Sequence, residues 1–198
     1  MLCVAGILSL DDACKLIVAR ARLMNSMPKE GKMVAVFASE EKVNDAMRAM
    51  GDANIDIAAV NGPLLVVLLG KSGSVDALVM KLTEGEVKSK SLNTSHAFHS
   101  SLMEPMLADF KKIADTVEYE KPYIPLVANV SGKFLGNGET LSADYLCEHI
   151  RRSVRFSDSV QTASDGGNHV FLEIGPDAVL SGMAGRVLSG ASIFVVVA

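Results

Sequence analysis

Two histidines three residues apart, His96 and His99, lie shortly before Pro105, which marks the start of a helix. An imidazole is the side chain best suited to take a proton from a nucleophile and return it to a leaving group near neutral pH. This segment is therefore a candidate site of general acid–base catalysis. A histidine beside Phe98 is also a common core or capping residue, and the residue types alone leave that alternative open.

A second candidate is an arginine inside a predicted amphipathic helix over residues 10–25, whose start is marked by a Ser9–Asp12 capping box. Five apolar residues recur at spacings of four and three and predict one buried stripe: Leu10, Cys14, Ile17, Ala21 and Met24. At about 100° per residue Arg20 falls inside this stripe, whereas Arg22 points away. A guanidinium carried toward the core needs an anionic partner there, either a substrate carboxylate or a structural ion pair.

The elements around these residues predict an α/β protein in two parts. Residues 32–92 follow the order β-α-β-β-α-β, which is the ferredoxin-like motif of a four-stranded antiparallel sheet with two helices on one face. The other part, residues 1–31 and 93–198, has a helix over about 102–117, buried strands at 124–132 and 169–176, and a short helix from about 179. We expect these elements to form an α/β layer into which the ferredoxin-like unit is inserted.

Several separated motifs, in order, carry a resemblance to a known family from residue 4 to about 185. They are Val4-Ala5-Gly6-Ile7-Leu8-Ser9-Leu10-Asp11-Asp12-Ala13, Ala19-Arg20-Ala21-Arg22-Leu23-Met24, Ala58-Ala59-Val60-Asn61-Gly62-Pro63, Ser95-His96-Ala97-Phe98-His99-Ser100, His149-Ile150-Arg151-Arg152-Ser153-Val154-Arg155-Phe156 and Phe171-Leu172-Glu173-Ile174-Gly175-Pro176. Together they resemble the acyltransferase domains of polyketide and fatty-acid synthases. The resemblance implies an inserted ferredoxin-like subdomain within a partial α/β-hydrolase-like layer.

The resemblance also implies roles for particular residues. His99 would be the catalytic base that activates a serine, and Arg20 would pair with the free carboxylate of a malonyl group. Asn61 would hydrogen-bond the substrate, although an Asn-Gly pair is a good turn former in any protein. His149 would orient His99 through a hydrogen bond, most simply from its backbone carbonyl, unless it is an ordinary histidine at a helix end.

His96 and Phe98 occupy the tetrapeptide that correlates with extender choice in this family. His-Ala-Phe-His accompanies malonyl, and Tyr-Ala-Ser-His accompanies methylmalonyl; this chain has the malonyl form, which favours a polyketide synthase as parent. A bulky Phe98 near the acyl α-carbon is a steric reason to exclude a methyl branch, but one methylene discriminates by only about 1–3 kcal/mol.

Two segments of the family pattern are not found in residues 1–198. They are the Gly-His-Ser-x-Gly turn that presents the nucleophilic serine and the Gly-Gln-Gly segment that helps to form the oxyanion hole. We therefore expect an N-terminally truncated domain, with Met1 just downstream of the nucleophile. The apolar run at 193–198 suggests truncation at the other end as well.

Composition and residue spacing argue against several other classes of function. A net charge of −4 with no long basic run argues against nucleic acid or an anionic membrane as partner, and no apolar run is long enough for a transmembrane helix. The three cysteines lack metal-ligand spacing, so no metal is implied, and an intracellular location, cytoplasmic or organellar, is expected. Gly70-Lys71-Ser72 is not a phosphate-binding loop, because Leu65 stands where that loop requires glycine.

Two functions from different classes remain. The first is transfer of malonyl from coenzyme A to the phosphopantetheine thiol of an acyl carrier protein, without a bound cofactor and alongside other synthase domains. The second is a non-catalytic docking or assembly piece that binds the carrier protein.

Overall fold

A computed structural model describes residues 1–28, 31–94, 98–136, 138–167, 170–188 and, for the backbone, 192–197. Its helices and strands, in chain order, are α1 Leu10–Asn25, β1 Gly31–Val36, α2 Glu40–Met50, β2 Ile55–Gly62, β3 Leu65–Lys71, α3 Ser72–Glu84, β4 Ser89–Leu92, α4 Glu104–Ala114, β5 Val127–Ala128, β6 Lys133–Phe134, α5 Ala143–Arg151, α6 Phe156–Asp165, β7 Val170–Gly175, α7 Val179–Val187 and β8 Ser192–Val197. A 3₁₀ turn, Ser101–Met103, leads into α4, which has a proline in its first turn as the sequence predicts.

Helix α1 begins at the predicted cap, but its buried face differs from the predicted stripe. The Ser9 hydroxyl accepts a hydrogen bond from the Asp12 amide at 3.0 Å. Leu10 and Ile17 are 70% and 61% exposed, and Cys14 and Ala21 are exposed as well, so of the predicted stripe only Met24 is buried and the prediction is wrong for the other four. The helix packs on α4 through a face displaced by about one residue, whose members include Ala13, Leu16, Leu23 and Met24. Arg20 lies four residues from Leu16 and from Met24, so it still lies on the packed side.

Residues 31–92 fold in the predicted order β-α-β-β-α-β. The four strands form one antiparallel sheet in the order β2-β3-β1-β4. The predicted turn at 61–63 lies slightly later than expected: Asn61 and Gly62 belong to β2, and Pro63 and Leu64 connect it to β3. Asn61 is therefore a residue of β2, at an irregularity in its pairing with β3, and not part of the turn.

The two faces of this sheet bury different clusters. One face packs on α2 and α3 through a core that includes Val36, Val43, Leu68 and Leu78. The other face presents a smaller cluster, Met33, Ala58, Val67 and Leu69, against which Phe98 and Leu102 pack. Phe98 and Leu102 also pack on the core formed by α1, α4 and α5. The segment that contains His99 thus lies where the two cores meet.

The remaining strands are shorter or more exposed than the sequence predicts. Only Val127 and Ala128 of the predicted strand at 124–132 pair, with β6. The chain turns directly after them, where the Gly132 amide donates to the Ala128 carbonyl at 2.8 Å. Strand β7 occupies most of the second predicted strand and pairs in parallel with β8, with α7 between them. Its Val170, Leu172 and Ile174 are 64%, 58% and 75% exposed, so the prediction that this strand is buried is wrong.

Candidate functional site

His99 is held by the backbone of a distant segment. Its Nδ1 atom lies 3.1 Å from the carbonyl oxygen of Arg152. A carbonyl only accepts, so Nδ1 must carry the proton and a neutral imidazole then has its lone pair on Nε2. The residue has a φ of +66°, in the left-handed region that non-glycine residues rarely adopt. This geometry presents a proton acceptor at Nε2, as general-base chemistry requires.

His149 lies on α5, beside His99. The two rings meet edge to face, with centroids 5.8 Å apart and planes at 84°. The carbonyl at Nδ1 of His99 belongs to Arg152, three residues beyond the one that the sequence singles out. The backbone carbonyl of His149 also accepts a hydrogen bond from the His99 ring and raises its pKa. His149 is thus next to His99, and its ring and its backbone both contribute to the environment of that imidazole.

Arg20 completes the group from the other side. Its Nη1 lies 3.3 Å from Nδ1 of His149. Since a guanidinium only donates, His149 accepts through Nδ1 and carries its own proton on Nε2. Within the described residues no carboxylate forms an ion pair with Arg20, so the anionic partner expected from the sequence is not supplied by that part of the chain.

The surroundings keep both imidazoles neutral. Burial, the nearby charge of Arg20 and the neighbouring His99 lower the pKa of His149 to about 4. The pKa of His99 is lowered as well, mainly by burial and then by the Arg20 charge, against the opposing effect of its backbone hydrogen bonds. Burial also lowers the pKa of Arg20, although an arginine stays protonated at physiological pH. Near pH 7 the group is one cation beside two neutral bases.

Two cavities adjoin these elements. One, of about 320 Å³, is lined mainly by apolar residues of the N-terminal segment, α1 and α4, and Arg20 also lines it. The other, of about 480 Å³, is lined by Asn61 together with residues such as Asn129, Val154 and Phe156. Asn61 thus lines a different cavity from Arg20, although Met1 borders both.

The other predicted residues have different placements. Phe98 is half-buried and packs between the two cores. His96 lies outside the described residues. Within those residues, no group of three or more metal-binding side chains is present, and no helix is long and apolar enough to cross a membrane.

Arg152 is a residue of the candidate site that the sequence analysis did not predict. It contributes a backbone carbonyl, which every residue type has, so no side-chain pattern signals it. The nearest sequence signal was the motif at 149–156 that contains it.

A family model described as "Acyl transferase domain" matches residues 1–192. The chain belongs to this acyltransferase domain family. It is 45% identical over 188 residues to polyketide synthase GfsA of Streptomyces halstedii, a match that spans 94% of the chain and 2% of that protein.

Solved structures agree with this acyltransferase assignment. The acyltransferase domain from the second module of the salinomycin polyketide synthase superposes with a TM-score of 0.94 at 41% identity, over 99% of this chain and 46% of that one. An acyl carrier protein S-malonyltransferase from Vibrio cholerae superposes with a TM-score of 0.90 at 26% identity, over 98% of this chain and 65% of that one. The acyltransferase chain thus spans about half of the polyketide synthase domain that it resembles in structure.

Proposed function

We propose that this chain is part of an acyltransferase that moves malonyl from coenzyme A to the phosphopantetheine thiol of an acyl carrier protein in polyketide or fatty-acid synthesis. The observation that carries the proposal is the Arg20–His149–His99 group. One member is a half-buried cation that forms no ion pair with a carboxylate of the described residues. Another is an imidazole whose Nδ1 donates to the Arg152 carbonyl, which leaves its lone pair on Nε2. A malonyl thioester needs both a clamp for its carboxylate and a base for the attacking hydroxyl.

In this proposal His99 removes the proton from a serine hydroxyl, which attacks the malonyl thioester and releases the coenzyme A thiol. His99 gives that proton to the departing coenzyme A thiolate and is neutral again. It then takes the proton of the carrier thiol, the thiolate attacks the acyl-serine, and His99 returns the proton to the serine oxygen as it leaves. Arg20 holds the malonyl carboxylate in both half-reactions. Residues 1–198 contain no Gly-His-Ser-x-Gly sequence, so the proposal requires the serine to come from a segment outside them.

Four further residues receive roles in the proposal, on less direct support. His149 sets the electrostatic environment of His99 and contacts Arg20. Asn61 is proposed to donate to the substrate from the second cavity, and Phe98, with His96, to restrict the acyl α-carbon to the unbranched malonyl form. The relatives that are named S-malonyltransferases support malonyl as the acyl group and an acyl carrier protein as partner.

We further infer the division into subdomains. The antiparallel order β2-β3-β1-β4 with α2 and α3 on one face supports a ferredoxin-like small subdomain over residues 32–92. The parallel β7-α7-β8 unit supports assignment of residues 1–31 and 93–198 to an α/β-hydrolase-like layer.

Intact-mass measurement after incubation with malonyl-CoA tests the function. We would compare the 198-residue chain with a chimera that joins it to the preceding half of the salinomycin-module acyltransferase domain, which supplies the serine turn. We expect only the chimera to gain one malonyl group and the His99→Ala chimera to gain none. Labelling of the 198-residue chain alone would show that another residue is the nucleophile. A folded chimera that is never labelled would contradict the catalytic role and favour carrier-protein docking.

A further inference from the structure

Asp56, on β2, contacts both segments that place His99. Its Oδ2 atom accepts a hydrogen bond from the backbone amide of Ser101 at 3.1 Å. The same oxygen lies 3.4 Å from Nη1 of Arg151. Ser101 is two residues after His99, and Arg151 immediately precedes the residue whose carbonyl binds the His99 ring. One carboxylate oxygen therefore links the histidine to its acceptor.

The two residues after Arg152, Ser153 and Val154, are hydrogen-bonded to β2. The Ser153 hydroxyl donates to the carbonyl of Ile57, the Val154 amide donates to the carbonyl of Ala58 at 2.8 Å, and the Val60 amide donates to the carbonyl of Val154 at 2.9 Å. Arg152 itself has its amide bonded to the carbonyl of Glu148 at 2.7 Å, at the end of α5. The Arg152 carbonyl is thus fixed on both sides.

The His99 side of the contact needs comparable support. A non-glycine residue in the left-handed region is strained and persists only where its surroundings hold it. The Ser101 amide bond to Asp56 supplies such a restraint directly after the strained residue. Loss of this bond would weaken the restraint on the turn and let the imidazole shift from the Arg152 carbonyl.

We propose that Asp56 is a positioning residue for His99, holding the histidine turn through Ser101 and the Arg152 carbonyl through Arg151. The importance of this role for catalysis rests on the proposed function, in which His99 is the base. The positioning itself can be tested independently of catalysis, because it determines which nitrogen of His99 carries the proton.

The role is distinct from that of a simple surface ion pair. Arg151 also pairs with Glu104, at 2.8 Å from Nε, so it keeps a partner when Asp56 is replaced. The Asp56 side chain is 29% exposed, so solvent reaches the site and can hydrate the groups that lose Asp56 as a partner. We therefore expect the substitution to act on the geometry of His99 more than on folding.

The test reads the His99 tautomer by ¹⁵N NMR of the imidazole in the 198-residue chain, with signals assigned through His99→Gln. In the unsubstituted chain we expect the proton on Nδ1. Asp56→Ala should reduce the population of that tautomer at least twofold. Asp45→Asn is the matched control, since it also removes an acid that pairs with an arginine, Arg48, but lies on α2. It should leave the His99 signals unchanged.

A second variant and a second readout keep the outcomes separate. Asp56→Asn is isosteric and keeps an acceptor for the Ser101 amide, so it should reduce the population of the Nδ1-protonated tautomer by less than Asp56→Ala does. If Asp56→Ala does not fold, the tautomer population in Asp56→Asn tests the proposal. An unchanged tautomer in the folded variants would overturn the positioning role and leave the proposed function intact. In the serine-bearing chimera, Asp56→Ala should lower kcat on the order of 10- to 100-fold with KM within about twofold. A lost tautomer with full malonyl transfer would instead contradict the base role of His99.

Discussion

The Nη1 atom of Arg20 lies 3.3 Å from Nδ1 of His149, so the guanidinium donates to a neutral imidazole and not to a carboxylate. Arg20 comes from α1 and His149 from α5, 129 residues later in the sequence. This contact orients the arginine without neutralising it. A positive charge that is held but not compensated is well suited to recognise an anionic substrate, because no existing ion pair has to be broken.

Arg20→Gln should lower kcat/KM for malonyl-CoA by about 10- to 100-fold, since a hydrogen bond to a charged group contributes roughly 1.5–3 kcal/mol. Transfer of acetyl, which has no free carboxylate, should be much less affected. Parallel assays of the two thioesters with the serine-bearing chimera check the prediction. Equal losses for both substrates would mean that Arg20 acts on the fold or on the histidines and not on the carboxylate.

The pH dependence of transfer should follow the lowered pKa of His99. The base acts when neutral, so activity should persist as the pH falls below the ordinary histidine value of about 6.5 and should decline only at lower pH. Removal of the Arg20 charge should raise the pKa of His99 and move the acid limb of the profile to higher pH. The ring-proton NMR titration of His99 in Arg20→Gln gives an independent measurement, and a pKa that stays put or falls would contradict this electrostatic account.

His149 should make the folded state sensitive to acid. Its folded-state pKa of about 4 is below the unfolded value of about 6.5, so between these limits the unfolded chain binds more protons. The free energy of unfolding should therefore fall as the pH is lowered from 6.5 to 4. Urea denaturation across that range should show a shallower loss for His149→Gln than for the unsubstituted chain. Parallel curves for the two proteins would argue against a neutral, buried His149.

Phe110→Ala should destabilise the core on which α1 and α5 rest. Phe110, on α4, is 2% exposed and packs in the same core as Leu16 and Ile150. Removal of a buried phenyl ring costs about 3–5 kcal/mol. The matched control is Phe134→Ala, at a residue that is 40% exposed. Chemical denaturation of both variants checks the difference, and a loss below about 1 kcal/mol for Phe110→Ala would mean that this core is loosely packed.

Local signals in the sequence determined the elements of residues 31–92. Alternating apolar residues, helix caps and turn residues act over a few neighbours, so the order β-α-β-β-α-β was predictable without the fold. The family was also predictable, because motifs keep their order along the chain regardless of how they pack.

Only the tertiary structure decided which side of an element is buried and which groups meet. Leu10 and Ile17 fit a helical stripe but lie exposed, because the face that α1 buries depends on where α4 packs. The carbonyl of Arg152 binds His99 across 53 residues, and β2 brings Asp56 to the amide of Ser101. Each of these contacts joins a side chain to a backbone atom that every residue has, so no pattern of residue types encodes the backbone partner. The contacts exist because the packed sheet and helices fix where the two segments run.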